Sequence, residues 1–309
     1  MNRRSDLLVR AMPWVFVLIW STGFVVARLA MPHSPPLSFL AVRFVLSLLC
    51  FGAWILIAGI ELPADRMQWA HLAVTGVLMQ AAYLGGVWSA VSAGIGAGTV
   101  ALLVGLQPVL TALWISRSMD SRRSSGISLV QWLGLLLGLV GLALVVWRKL
   151  GVGEVTPWNL ALASLALLGI TVGTLYQKRF VKPCDVRSAN AVQMLAALLV
   201  TLPFVWFESA PMVWTAELVG AMAWSVLVLT LGGSSLLYLL IQRGEATTVT
   251  SLLYLVPPCT ALLAWVMFGE SFTPLMIMGM ALTVAGVAIV VRNQRDAATS
   301  APPLHEEPR

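Results

Sequence analysis

The sequence is divided into apolar stretches, each about as long as a helix that crosses a lipid bilayer. About 20 helical residues span the hydrocarbon core, and ten stretches of roughly that length alternate with short polar segments. Backbone polar groups in lipid must be paired within their own segment, and the stretches lack the alternation of barrel strands, so each is predicted to be a helix. The stretches cover residues 13–30, 36–58, 69–91, 97–116, 128–147, 158–177, 189–207, 218–241, 246–268 and 274–291.

The composition leads to the same conclusion. Hydrophobic residues make up 59% of the 309 residues and charged residues only 10%, whereas soluble globular chains carry roughly 25% charged residues. So few charges cannot cover a water-facing surface, and the lipid bilayer is therefore an expected partner. A net charge of +6 can indicate nucleic-acid binding. Here the basic residues stand in short clusters between apolar stretches, and no nucleic-acid partner is predicted.

The distribution of Lys and Arg predicts the orientation in the membrane. With the N-terminus placed inside the cell, 15 of these residues fall in inside segments and two, Arg148 and Lys149, in outside segments. The remaining two, Arg28 and Arg43, lie within apolar stretches. Because cytoplasmic loops are enriched in Lys and Arg, the bias predicts a multi-pass protein of the cell (inner) membrane with both termini cytoplasmic.

The two halves of the chain resemble each other at a shift of 149 residues. Eight of fifteen positions are identical between residues 99–113 and 248–262, among them Pro108 and Pro257. Each half holds five predicted helices, an odd number, so the second half enters the membrane from the opposite side. Inverted repeats of this kind underlie many secondary transporters.

The predicted fold is an all-α membrane protein of ten transmembrane helices arranged as two inverted five-helix repeats. The polar, Pro-containing end of the chain is predicted to be disordered. The predicted parts are a cytoplasmic N-terminus (1–12), a first repeat (13–149), a linker (150–157), a second repeat (158–292) and a disordered cytoplasmic tail (293–309).

Several short motifs resemble a known family. They are Trp20-Ser21-Thr22-Gly23-Phe24 followed by Arg28, Arg43-Phe44, the repeated Leu-x-Pro segments at 106–108 and 255–257, and Phe268-Gly269-Glu270. As a set they resemble the drug/metabolite transporter superfamily, EamA type, over roughly residues 13–293. The resemblance implies a ten-helix fold of two EamA-like repeats and export of small metabolites such as amino acids by alternating access. The first repeat departs from the second by having Arg117-Ser118 where the second has Gly269-Glu270.

The residues that could carry chemistry argue against an enzyme and an ATP-driven pump. No carboxylate falls in the middle of an apolar stretch, and the three histidines lie in loops or at stretch ends. A phosphate-binding loop is absent, and three separated cysteines lack metal-ligand spacing. No catalytic residue, metal or cofactor is therefore predicted, and facilitated export or exchange is expected. A membrane-embedded enzyme or lipid-modifying protein is the alternative. A passive channel would need a more continuous polar lining.

Polar and aromatic side chains at membrane depth are the candidates for contact with a small-molecule substrate. Such residues usually face the bundle interior, where they could also bond across helices. Arg43 lies about 10 Å along the second stretch; it could meet an anionic substrate group, reach the headgroups or tie helices together. The candidate substrate-binding residues are Trp20, Arg43, Tyr83, Gln107, Tyr238 and Tyr254.

Three prolines within predicted helices are candidate hinges. Proline removes a backbone donor and frees the carbonyl one turn earlier, which is tolerated where that carbonyl lines a cavity or is paired by a neighbour. Pro108, Pro257 and Pro258 could therefore mark hinges or simple packing kinks. Gly134-x-x-x-Gly138 permits close helix contact, so a monomer and a homodimer are both compatible with the sequence.

Overall fold

The computed structural model describes residues 3–118, 129–151, 153–242, 255–270 and 274–299. Within these ranges the secondary structure is helical and contains no strand. The helices are α1 (Arg3–Ala30), α2 (Pro36–Ala58), α3 (Arg66–Ser92), α4 (Ala97–Val104), α5 (Gln107–Ser118), α6 (Leu129–Gly151), α7 (Pro157–Phe180), α8 (Val186–Val205), α9 (Ala216–Trp224 continuing through Ser235–Gln242), α10 (Val256–Phe268) and α11 (Pro274–Thr299).

The helices have the length and surface of a multi-pass membrane protein. In the described part of the chain, α2, α3, α7, α8 and Ala216–Leu240 of α9 are long and apolar enough to cross a bilayer, and shorter apolar helices accompany them. Leu56, Ile57, Trp206 and Phe207 are each more than 80% exposed, which suits a surface solvated by lipid. The all-helical membrane architecture is thus confirmed, and the number of crossings stays a prediction.

Polar side chains define where several helices begin. Four helices start at a residue whose side chain accepts a backbone N–H of the first turn, the usual N-cap arrangement. These N-cap residues are Asp65, Thr156, Asp185 and Thr215. Helix α2 lacks such a cap of its own; instead Glu208, which follows α8, accepts the N–H groups of Leu37 at 2.9 Å and Ser38 at 2.7 Å.

Two π-helical segments occupy corresponding places in the two halves. Val77–Ala82 lies within α3, and Ser225–Ser234 lies within α9. The shift of 149 residues that relates the halves in sequence maps the first segment onto the second. The same shift maps the start of α5, Gln107, onto the start of α10, Val256. The internal repeat is therefore visible in local backbone structure as well as in sequence.

Helices from the two halves of the chain pack against each other in opposite directions. A Cβ placed on Gly105 would lie 2.7 Å from Pro257 Cγ, and one on Gly98 would lie 3.4 Å from Ala261 Cα. Moving towards the N-terminus of α4 thus means moving towards the C-terminus of α10. A side chain at position 105 would overlap Pro257, so glycine permits the close approach there.

The second such pair is α6 and α11, the last helices of the two halves. A Cβ on Gly279 would lie 2.6 Å from Gly141 O and 2.6 Å from Val145 Cγ2, and one on Gly141 would lie 2.7 Å from Thr283 N. Residue numbers rise along α6 as they fall along α11, so these helices are also antiparallel.

Two sequence expectations are corrected. Pro108 and Pro257 do not interrupt continuous helices, because each is the second residue of a helix, where the missing N–H needs no partner. The chain instead breaks at Gly105 and Leu106, between α4 and α5. Pro258 follows in the first turn of α10, and the residues before Leu255 lie outside the described ranges. The second difference is that α11 continues to Thr299, past the predicted start of the disordered tail.

Candidate functional site

A cavity lies at mid-length of the bundle, between α1, α2, α3 and α9, and the space in it that a water-sized molecule can occupy is about 30 Å³. Three of these helices belong to the first half of the chain and one to the second. Most of the lining is apolar. The polar and aromatic side chains that bear on its chemistry are Trp20, Arg43, Gln80, Tyr83, Trp88 and Ser234.

Both π-helical segments contribute to the cavity wall. Met79 and Gln80 come from the segment in α3, and Leu229 and Ser234 from the one in α9. A π turn holds an extra residue and disturbs the regular helical ladder, and such turns occur frequently at functional sites. The distortion therefore coincides with the cavity in both halves.

Close packing from α7 holds the α3 segment in place. A Cβ on Gly169 would lie 2.9 Å from Leu78 O and 2.9 Å from Tyr83 N. The Gly169-x-x-x-Gly173 spacing thus lets α7 approach the backbone of the π-helical region, as expected for small residues at helix contacts.

Arg43 brings a positive charge to the cavity. Its side chain is 3% exposed, and its Nε donates a hydrogen bond to Thr230 Oγ1 at 3.0 Å. The Thr230 hydroxyl donates in turn to Ser225 O at 2.9 Å, so it is oriented to accept from Arg43. The guanidinium carbon lies 6.0 Å from the centroid of the Trp88 ring, a distance at which cation–π attraction operates.

Trp20 forms a partition between this cavity and a smaller one. Its ring lies parallel to that of Tyr83, with centroids 6.0 Å apart. The smaller cavity is lined by Trp20, Gln107 and Pro108, among others. Gln107 is buried there, and its Nε2 donates to Thr174 Oγ1 at 3.2 Å.

The candidate residues chosen from sequence are only partly brought together. Trp20, Arg43 and Tyr83 share the larger cavity, and Gln107 adjoins it across Trp20. Tyr238 lies elsewhere, buried against Leu72, Ala189 and Val192, with its hydroxyl 3.0 Å from Cys184 Sγ. Its role as a substrate contact is therefore not supported by its position. Tyr254 lies outside the described residues.

One end of the bundle is tied together by charged groups. Arg28 of α1 forms an ion pair with Glu270, which follows α10. Glu270 also accepts the N–H of Ala97 at 3.3 Å, and Glu154 accepts that of Gly96 at 2.9 Å. Two carboxylates thus meet the N-terminus of α4, where the helix dipole favours negative charge. The cluster joins the two halves at this end.

Sequence reasoning missed several of these residues. Gln80, Thr230 and Ser234 are single polar groups in long apolar stretches, and only the fold shows that they face a cavity or Arg43. In the described residues, no group of three His, Cys, Asp or Glu side chains is placed to hold a metal ion.

Comparison with known proteins agrees with the geometry. Residues 11–147 and residues 157–292 each match the EamA-like transporter family. A crystal structure of a protein with 20% sequence identity superimposes with a TM-score of 0.66 over 92% of this chain and 97% of that chain, which shows a shared fold.

Three relatives that match most of the chain carry transporter names. The uncharacterized transporter YvbV of Bacillus subtilis is 24% identical over 89% of this chain and 88% of its own. The uncharacterized inner membrane transporter YedA of Escherichia coli is 25% identical over 88% and 87%. A probable amino-acid metabolite efflux pump of Salmonella typhimurium is 24% identical over 94% and 96%.

Proposed function

Because the chain belongs to the EamA-like transporter family, we propose that it is a secondary transporter that exports small amphipathic metabolites, such as amino acids, by alternating access. The observation that carries this proposal is the mid-length cavity between helices of both halves. Transporters built from inverted repeats place their substrate site near the bilayer midplane, between the repeats. The naming of a similar chain as an amino-acid metabolite efflux pump supports the substrate class.

The proposed membrane arrangement is ten transmembrane helices in two inverted repeats. The protein lies in the cell (inner) membrane, and both termini are cytoplasmic. The antiparallel packing of α6 and α11, the last helices of the two halves, supports the inversion, and the Lys and Arg bias supports the orientation. The relative named as an inner membrane transporter supports the location.

The proposed conformational change uses the break between α4 and α5. Gly105 at this break lies against Pro257 in the first turn of α10, so the break meets a helix of the other half. We assign hinge roles to Pro108, Pro257 and Pro258. With the N-terminus inside, the Arg28–Glu270 pair closes the outer end, and opening that end requires the pair to separate.

The alternative is a membrane-embedded enzyme or lipid-modifying protein. The transporter names of the similar proteins favour transport over this alternative.

The test is an efflux screen followed by solute exchange in liposomes. Cells that express the protein would be challenged with toxic analogues of amino acids and nucleobases, and the protected solutes tested for exchange with the purified, reconstituted protein. We expect Trp20→Ala to change which solutes are exchanged at unchanged protein amount. Trp14→Ala is the matched control, because Trp14 lies on the same helix and is 57% exposed.

Reconstituted protein that exchanges no member of the panel, or a Trp20→Ala variant that behaves like Trp14→Ala, contradicts the proposal.

A further inference from the structure

Among the described residues that line the cavity, one is a cation and none is an anion. Arg43 is the charged residue of this set, and the other polar side chains, Gln80, Tyr83 and Ser234, are neutral. These described side chains give the site a positive charge, and none of them is a carboxylate that would compete with a bound solute for Arg43.

Arg43 has capacity left for a ligand. Among the described residues its hydrogen bonding is limited to the Nε donation to Thr230, which leaves both Nη groups without a protein acceptor there. No described carboxylate lies within ion-pair distance of it. A buried guanidinium without a counter-ion is unfavourable, and a carboxylate that accepts two parallel hydrogen bonds satisfies it best.

The same wall offers little to an ammonium group. A buried ammonium needs a carboxylate partner or several well-placed acceptors, and none of the lining residues in the described ranges is acidic. The positive charge of Arg43 further opposes a cationic solute. Aromatic rings, by contrast, are abundant, because Trp20, Phe24, Tyr83 and Trp88 all face the cavity.

Resting on the proposed transport function, we infer that the cavity selects monocarboxylates with an apolar or aromatic body and no free ammonium group. Arg43 binds the carboxylate, held in place by Thr230, and the aromatic residues contact the body. Within the class of small amphipathic metabolites, organic acids are thus preferred over zwitterionic amino acids, neutral alcohols and amines.

The test compares four ligands that share one phenyl-propyl skeleton: 3-phenylpropionate, phenylalanine, 3-phenylpropan-1-ol and 3-phenylpropylamine. Binding to the purified protein in detergent is measured at neutral pH by the change in tryptophan fluorescence. Binding is the readout because the uncharged form of the acid crosses membranes unaided. We expect 3-phenylpropionate to bind more tightly than the other three, by about 30-fold or more over the alcohol.

Two variants test whether the charge of Arg43, and not a change in the fold, determines the affinity for the acid. Arg43→Gln is expected to lower the affinity for 3-phenylpropionate to that of the alcohol, with little effect on the alcohol itself. Arg66→Gln is the matched control, since Arg66 is exposed at the start of α3. If Arg43→Gln does not give folded protein, the order of the four ligand affinities, measured on the unsubstituted protein, tests the inference by itself.

The inference is overturned if phenylalanine, the alcohol or the amine binds as tightly as the acid, or if folded Arg43→Gln keeps the preference for the acid. These outcomes leave the transport proposal standing. An absence of exchange for every solute in liposomes, with selective acid binding intact, contradicts the transport proposal instead.

Discussion

The contact between Gly105 and Pro257 gives a prediction whose size follows from the coordinates. Alanine at 105 would place a methyl group 2.7 Å from Pro257 Cγ, whereas carbon atoms normally approach to about 3.5–4.0 Å. The α4–α5 break and the start of α10 must therefore separate by roughly 1 Å. Because protein interiors are close-packed, we expect Gly105→Ala to lower the free energy of unfolding by about 1–3 kcal/mol.

The assay is the apparent melting temperature of the purified protein in detergent, where this loss corresponds to a fall of roughly 2–5 °C. Gly220→Ala is the matched control, because nothing lies within 4 Å of a Cβ added at Gly220. Adding Pro257→Ala removes the overlapping Cγ, and the double variant should recover about 1–2 kcal/mol relative to the sum of the single changes.

Equal melting temperatures for Gly105→Ala and Gly220→Ala would refute the contact. A double variant whose losses simply add would show that the cost arises elsewhere in the break. Gly105→Ala should also slow solute exchange more than it reduces the amount of folded protein, since the proposed hinge lies at this contact.

Three further predictions concern the ends of the bundle. Arg28→Gln should lower the melting temperature by several degrees, because it leaves the nearly buried Glu270 carboxylate without its cation. Adding Glu270→Gln should recover part of this loss, and a double variant that recovers nothing would contradict the pairing. Glu208→Ala should lower the free energy of unfolding by about 1–2 kcal/mol, because it leaves two N–H groups at the start of α2 unpaired. The control is Glu61→Ala at an exposed position, and equal stability of the two variants would count against this cap. Reporter fusions after residues 34, 94, 155, 212 and 272 should read as outside and a C-terminal fusion as inside; a C-terminus found outside would break the inverted arrangement.

Much of the fold could be predicted because bilayer thickness fixes the length of an apolar stretch. The stretch 36–58 matches α2 at both ends, since Pro36 can open a helix and Gly59 adopts the left-handed conformation that ends one. The π-helical segments could not be predicted, because Ser225–Ser234 has the same apolar character as a regular helix. Tertiary packing decides the local hydrogen bonding there.

The sequence could predict some site residues and not others, because residue types differ in how strongly each one indicates a position inside the bundle. A charge such as Arg43 within an apolar stretch is rare enough to mark an interior position. Tyr238 is different, because a tyrosine can satisfy its hydroxyl anywhere in the bundle, and here it does so near Cys184. The Arg28–Glu270 pair joins residues 242 positions apart, a separation that no local pattern reveals.

The central claim is that the cavity binds solute and opens to the two sides of the membrane in turn. The most direct measurement is thiol labelling of Ser234→Cys, a small change at the cavity wall, in a transport-active protein whose Cys50, Cys184 and Cys259 have been replaced. We expect a water-soluble thiol reagent to reach position 234 from either side, and a transported solute to slow the reaction from both. An active protein in which position 234 reacts from neither side, or reacts at a rate that solute does not change, would contradict the claim.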